Sequence, residues 1–155
     1  MKILSFKVLD KTYGLNISQV KEVIRLRPIT PIPDIPSFIK GIISLSANIV
    51  PIVSLRGKFG LSETFENKGA QIIICYLPGH QAGIIVDRVI NCLDIKDEFI
   101  SGRDDILKDA DYLKGVADFN NELILIIDIE RLLDSEEQLC LSSIKDRVEV
   151  KRKSA

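Results

Sequence analysis

The sequence has little of what catalysis and nucleic-acid binding draw on. Tryptophan is absent, histidine occurs once, and aromatic residues make up 6% of the chain. That aromatic content is too thin for a base-stacking platform. The 21 Lys plus Arg against 22 Asp plus Glu leave a net charge of −1, so no overall field draws nucleic acid or an anionic membrane. His80 stands beside Pro78 and Gly79, where a solvated turn residue is expected, and no nucleophile or orienting carboxylate accompanies it in a known signature. Cys75, Cys92 and Cys140 are odd in number and widely spaced, which excludes a disulfide framework and a C-x-x-C pair. Cys75 and Cys92 lie in apolar runs and are expected to be small buried hydrophobes. A reducing compartment suits such thiols. Asp104, Asp105, Asp109 and Asp111 lack calcium-loop spacing, and Gly57 and Gly60 do not make a phosphate loop. No apolar run reaches the length of a membrane span, and the first ten residues lack the apolar core of a signal peptide. These absences point to a cytoplasmic protein without enzymatic activity, metal or cofactor.

What is present is β structure, used twice. Residues 38–59, FIKGIISLSANIVPIVSLRGKF, hold two Val- and Ile-rich runs, Ile39 to Leu45 and Ile49 to Leu55, around Ser46, Ala47 and Asn48. β-branched side chains suit a pleated surface, so the stretch reads as a core hairpin. Pro51 has no N–H to give, which predicts an edge or a bulge there. Shifted by 74 positions, Phe38 to Ile42 becomes Tyr112 to Val116, and Ile49 to Leu55 becomes Leu123 to Ile129. Shifted by 69, Tyr13 to Val20 meets Ala82 to Val89, with Gly14 on Gly83. Two copies of one plan follow.

Further strands are predicted over Ile3 to Val8, Tyr13 to Ile17, Val20 to Leu26, Gln71 to Leu77, Gln81 to Val86 and Arg88 to Ile95, and a second core hairpin turns at Asn120-Asn121. On the third of these, Val20, Glu22, Ile24 and Leu26 are expected to share a face. Four prolines between Arg27 and Pro36 make a stiff extended arm, answered in the second copy by the aspartate-rich 96–111. Glu130 to Leu139 reads as a helix on Leu132, Leu133 and Leu139. About ten short strands in two sets of five imply two small closed barrels sharing a core. The expected division is 13–65 for the first barrel, 70–129 for the second, 130–139 for the helix, and a charged tail over 141–155. Whether the first strand crosses to the second barrel is left open by the sequence.

The succession Tyr13-Gly14-Leu15, Val20, Glu22-Val23-Ile24, Ile35-Pro36-Ser37-Phe38-Ile39-Lys40-Gly41, Val50-Pro51-Ile52-Val53 and Leu55-Arg56 resembles the CheW family. Gly83-Ile84-Ile85-Val86-Asp87-Arg88-Val89, Leu113-Lys114-Gly115-Val116 and Leu125-Ile126-Ile127-Asp128 extend the match. The resemblance implies two SH3-like five-stranded barrels, no enzymatic activity and no cofactor. It implies an adaptor between the tips of methyl-accepting chemotaxis receptors and the regulatory domain of a CheA-type histidine kinase. The receptor-binding residues carried over are Val20, Glu22, Gly41 and Ser46, while the kinase contact is a barrel end without residue assignments. Ser46-Ala47 stands where the family usually has Arg-Gly, and Ser54 where it has Asp. Two expectations follow: either Arg25 or Arg56 compensates Glu22, or Glu22 faces water. An alternative is a divergent CheW-like module serving a kinase in another pathway, with receptor contact weakened at Ser46. A small-ligand barrel is disfavoured, because no polar cluster would orient a ligand.

Overall fold

The computed structural model describes residues 1–62, 69–102, 112–134 and 136–144. Its strands are β1 (Lys2–Val8), β2 (Lys11–Asn16), β3 (Val20–Arg25), β4 (Ile39–Leu45), β5 (Asn48–Ser54), β6 (Gln71–Leu77), β7 (His80–Val86), β8 (Arg88–Asp94), β9 (Ile100–Ser101), β10 (Leu113–Phe119) and β11 (Glu122–Ile127). Short helices follow the two core hairpins: α1 (Leu55–Lys58) after β5 and α2 (Ile129–Leu132) after β11. A further helix, α3, covers 136–144. The fold is all-β in two lobes. A six-stranded sheet runs β8-β1-β2-β11-β10-β9, and a five-stranded sheet runs β3-β6-β7-β5-β4.

The two sheets are not the two halves of the chain. The expected barrels over 13–65 and 70–129 are corrected by the pairing: β2 belongs with the second-half strands, and β6 and β7 belong with the first-half strands. Each hairpin of one copy is completed by strands of the other. Gly14 lies opposite Ser5 across its hairpin and opposite Ile126 in the parallel pairing of β2 with β11. Gly83 lies opposite Ile74 and Ile52 in the same way. Both core hairpins carry a bulge, one between Ile39 and Gly41, the other between Leu113 and Gly115. Register therefore repeats at the glycines and at both bulges, and the duplication read from the sequence holds in the backbone.

Three apolar clusters result. Ile43, Val50, Ile52, Ile72, Ile74 and Ile85 fill the five-stranded lobe, while Ile3, Ile95, Ala117, Ile124 and Ile126 fill the six-stranded one. The third cluster lies between them and joins Leu4, Phe6, Ile73, Cys75, Ile84 and Ile127. Alternation sorts them: on β6, Ile72 and Ile74 enter the lobe, while Ile73, Cys75 and Leu77 enter the shared core. Burying a large aliphatic side chain contributes about 1.5–3 kcal/mol, so the shared core locks the lobes together.

Several sequence expectations shift. Pro51 is on a central strand, not at an edge. Ile42, its partner across the hairpin, exchanges both its backbone hydrogen bonds with Thr30 at 2.9 Å, and the parallel ladder with β7 begins only at Ile52. No neighbouring strand asks Pro51 for an N–H. The helix expected over 130–139 is two helices, broken at Leu133 and Asp134. Asp134 Oδ1 accepts from the Glu137 N–H at 2.8 Å and Glu137 Oε1 accepts from the Asp134 N–H at 3.0 Å, a capping box that starts α3. Leu139 is 70% exposed, and the buried members are Leu141 and Ile144, so the tail does not begin at 141. His80 is not solvated: it opens β7 and is 8% exposed. Cys75 is buried as expected, but Cys92 is exposed on β8. The aspartates 104, 105, 109 and 111 lie outside the described residues.

Candidate interaction surfaces

Val20 and Glu22 lie on β3, one edge of the five-stranded sheet, and Gly41 and Ser46 lie on and beside β4, the opposite edge. The chain after β3 closes the gap. Arg27 Nη1 donates to the Ser44 carbonyl at 3.3 Å, and Thr30 forms a bridge with Ile42. Gly41 is where this crossing is tightest. Its φ is +140°, and a Cβ there would stand 2.1 Å from the Thr30 carbonyl oxygen. Gly41 is buried, so it shapes the edge and offers no side chain to a partner.

The bulge in β3 separates the two residues expected to share a face. Val20 lies opposite Cys75 and Glu22 opposite Ile74, which point to opposite sides. Val20 accordingly packs on the shared core, and Ile24 inside the lobe. Glu22 is exposed, as are Lys21 and Arg25. Of the two expectations for Glu22 the second holds: it faces water, and no ion pair reaches it among the described residues. Arg56 is engaged elsewhere. Its Nε donates to Asp87 Oδ1 at 2.9 Å and its Nη2 to Asp87 Oδ2 at 2.5 Å. The Asp87 hydrogen bond, reinforced by its charge, raises the Arg56 pKa against the opposing effect of burial. Asp87 Oδ2 also accepts the Leu9 N–H at 2.7 Å, so this brace ties α1 to the β1–β2 turn across the lobes. Arg56 and Asp87 both belong to matched motifs. Only the tertiary fold shows that they answer each other.

Ser46 and Ala47 form the β4–β5 turn with φ of 49° and 66°, both left-handed and both exposed. Ser54 caps α1 by accepting the Gly57 N–H at 3.1 Å, so this serine keeps the N-cap role that an aspartate would serve. Asp128 does so for α2, accepting from the Glu130 N–H at 3.0 Å.

Two further surfaces escaped the sequence reading. At the open end of the six-stranded lobe, Phe99 and Phe119 line a hollow of about 350 Å³ with Asp94 and Asp118, and Phe99 is 51% exposed. Near the lobe junction the rings of Phe6, Tyr13 and Phe59 stack at 5.9 and 5.3 Å, and Tyr112 lies tilted against Phe59 at 5.4 Å. Burial, then the neighbouring Tyr112 and Asp10, raise the Tyr13 pKa. No group of His, Cys, Asp and Glu able to hold a metal occurs among the described residues, and no helix there is long and apolar enough to cross a membrane.

Two β-sheets joined by one shared core define the class: a two-lobed all-β fold. The family model described as "CheW-like domain" matches residues 2–137, and the chain belongs to that family. It is 30% identical over 145 residues to "Chemotaxis protein CheW" of Klebsiella aerogenes, covering 92% of this chain and 87% of that protein. Its identity to "Chemotaxis protein CheW" of Treponema pallidum is 26% over 149 residues, covering 92% and 88%. The crystal structure of scaffolding protein TtCheW from Thermoanaerobacter tengcongensis superposes with a TM-score of 0.81 at 34% identity, covering 88% of this chain and 94% of that one. These relatives are scaffolding and chemotaxis proteins, and the chain is a non-enzymatic adaptor of their kind.

Proposed function

We propose that this chain couples the cytoplasmic tips of chemoreceptors to the regulatory domain of a CheA-type histidine kinase, working in the cytoplasm. The observation that carries the reading is the paired edge of the five-stranded lobe. There an exposed Glu22 and a half-buried Val20 sit on the edge strand β3, and the exposed Ser46 turn lies beside β4, whose outer side Thr30 covers at Ile42. A free edge can be recognised through its backbone while neighbouring side chains set specificity. The kinase side is the opposite lobe's open end, where an exposed Phe99 supplies the aromatic anchor that interfaces favour. Separate lobes let both partners bind at once, each over roughly 800 Å².

Receptor tips and kinase regulatory domain, each tested by pull-down and titration, decide the matter. Glu22→Arg is expected to weaken receptor binding at least about tenfold, some 1.4 kcal/mol, and to leave kinase binding unchanged. Equal receptor affinity in the variant would sink the assignment.

A second reading rests on the turn. Ser46-Ala47 brings no cation to the edge. A module coupling a kinase in another pathway would bind receptor tips weakly beside a conventional relative, and Ser46→Arg would strengthen that contact.

A further inference from the structure

Helix α3 is tied to a helix of each lobe. Gln138 Nε2 donates to the Glu130 carbonyl of α2 at 2.7 Å and to the Leu133 carbonyl just after it at 2.9 Å. One residue earlier, Glu137 pairs with Lys58 of α1 at 2.5 Å. Leu141 and Ile144 enter the shared core. A helix confined to 136–144 is too short to persist in water alone, so these contacts hold it in shape.

His80 lies beneath it, 8% exposed. The 69-residue shift sets Lys11 in the same place of the other copy, and Lys11 is exposed. Nδ1 of His80 is 3.0 Å from the Pro78 carbonyl oxygen. A carbonyl only accepts, so Nδ1 carries the ring's proton and Nε2 is a bare acceptor. Among the described residues, Nε2 is the one buried side-chain nitrogen or oxygen without a hydrogen-bond partner. A second proton there would bring a charge and an unmet donor to a place that offers no acceptor.

The surroundings supply no counter-charge either. Pro78, Gln138, Leu139 and Ser142 line a hollow of about 370 Å³ with the ring, and none of them titrates. On one side of β7, β5 carries no titratable residue; on the other, Cys75 of β6 lies in the shared core and Tyr76 is exposed. Around α3, Glu130, Arg131, Asp134 and Glu136 are exposed, Glu137 is taken by Lys58, and Cys140 packs on the shared core. Among the described residues no ion pair reaches the ring.

We propose that His80 makes α3 a clasp between the lobes that acid opens. With the ring neutral, α3 closes over the Pro78 turn and holds α1 and α2 together. Protonation turns the ring towards water, and α3 lifts away with both ties. The proton is taken up more readily with α3 lifted, so by linkage the clasp is held above the titration of the ring and released below it.

Hydrogen exchange of the untagged full chain, read by mass spectrometry at about pH 7.5 and about pH 5.5 and corrected for intrinsic rates, is the test. Protection of 136–144 relative to β1 and β2 should fall about tenfold at the lower pH. His80→Phe and His80→Gln, which have no proton to gain, should each hold that ratio constant. His80 is the only histidine, so its ring resonance in proton NMR follows protonation directly, and its midpoint should coincide with that of the exchange. Three results would overturn the proposal. One is a ratio in the unsubstituted chain that does not move. Another is a fall that persists in the His80 variants, which would place the titration on a carboxylate such as Glu137. The last is a ring midpoint displaced from that of the exchange, which needs no variant to detect.

Discussion

The turns Ser46-Ala47 and Asn120-Asn121 occupy one position in two copies of the same hairpin, and all four residues hold φ between 49° and 66°. Asparagine adopts that conformation readily, whereas alanine and serine resist it. The backbone path has therefore outlasted the residues that suit it. Elsewhere the copies differ in the same way. Asp87 braces Arg56 in one, while the counterparts of these two residues are Ser18 and Glu130. Cys75 stands in the shared core where the other copy has Phe6. What persists is register, because strands of one copy pair with strands of the other, β1 with β8, β2 with β11, β3 with β6 and β5 with β7, and a slip of one residue would turn an apolar set outward. What diverges is side chains that face water or the junction.

The comparison breaks most sharply at the glycines beside the bulges. Gly41→Ala should cost about 3–4 kcal/mol in urea unfolding, since it adds backbone strain to a clash with a carbonyl. Gly115→Ala should cost about 1–2 kcal/mol, because its Cβ would stand 2.7 Å from the Ser101 oxygen without a left-handed φ. Equal costs would mean that the edge near Gly41 is free to relax. The brace comes next. Arg56→Ala leaves Asp87, 15% exposed, without its guanidinium and should cost about 3 kcal/mol, whereas Glu130→Ala should change stability by under about 0.5 kcal/mol.

The third test uses pH. Burial pushes the Cys75 thiol up to about 12 from 9.0. A folded pKa above the unfolded one means stability is complete below pH 9 and falls as pH rises towards 12. Between pH 9 and 10 the loss is about 1 kcal/mol, and Cys75→Val should flatten it. A slope that survives the substitution would place the titration elsewhere. The smallest effect is at the turn. Ala47→Gly should stabilise by up to about 1 kcal/mol, and Asn121→Gly should be near neutral. Thermal melts of the two variants sharpen the contrast between the hairpins.

Much of the candidate site was legible as sequence and its roles were not. Val20, Glu22 and Gly41 match the family's motifs and Ser46 departs from them, yet Gly41 is buried against Thr30, and the β3 bulge parts Val20 from Glu22. A bulge leaves no reliable mark in a strand's apolar pattern, because one extra residue such as Lys21 looks like ordinary alternation. Arg56 and Asp87 stand 31 positions apart, and nothing local in either motif says that they meet. The apolar pattern makes Leu139 a member of the helix and leaves Leu141 in the tail, whereas the capping box at Asp134 restarts the helix and buries Leu141.

Residue pattern alone fixes a mainly β chain, a repeated plan and the places where its hairpins turn. Those features are local: β-branched runs, turn residues and a shift that keeps glycines in phase. Which hairpin joins which lobe was decided only in three dimensions. Backbone hydrogen bonds carry no residue label, so either division offers similar strands, and burial of the shared core selects the exchanged one. The same collapse put His80 beneath α3 and left its counterpart Lys11 in solvent.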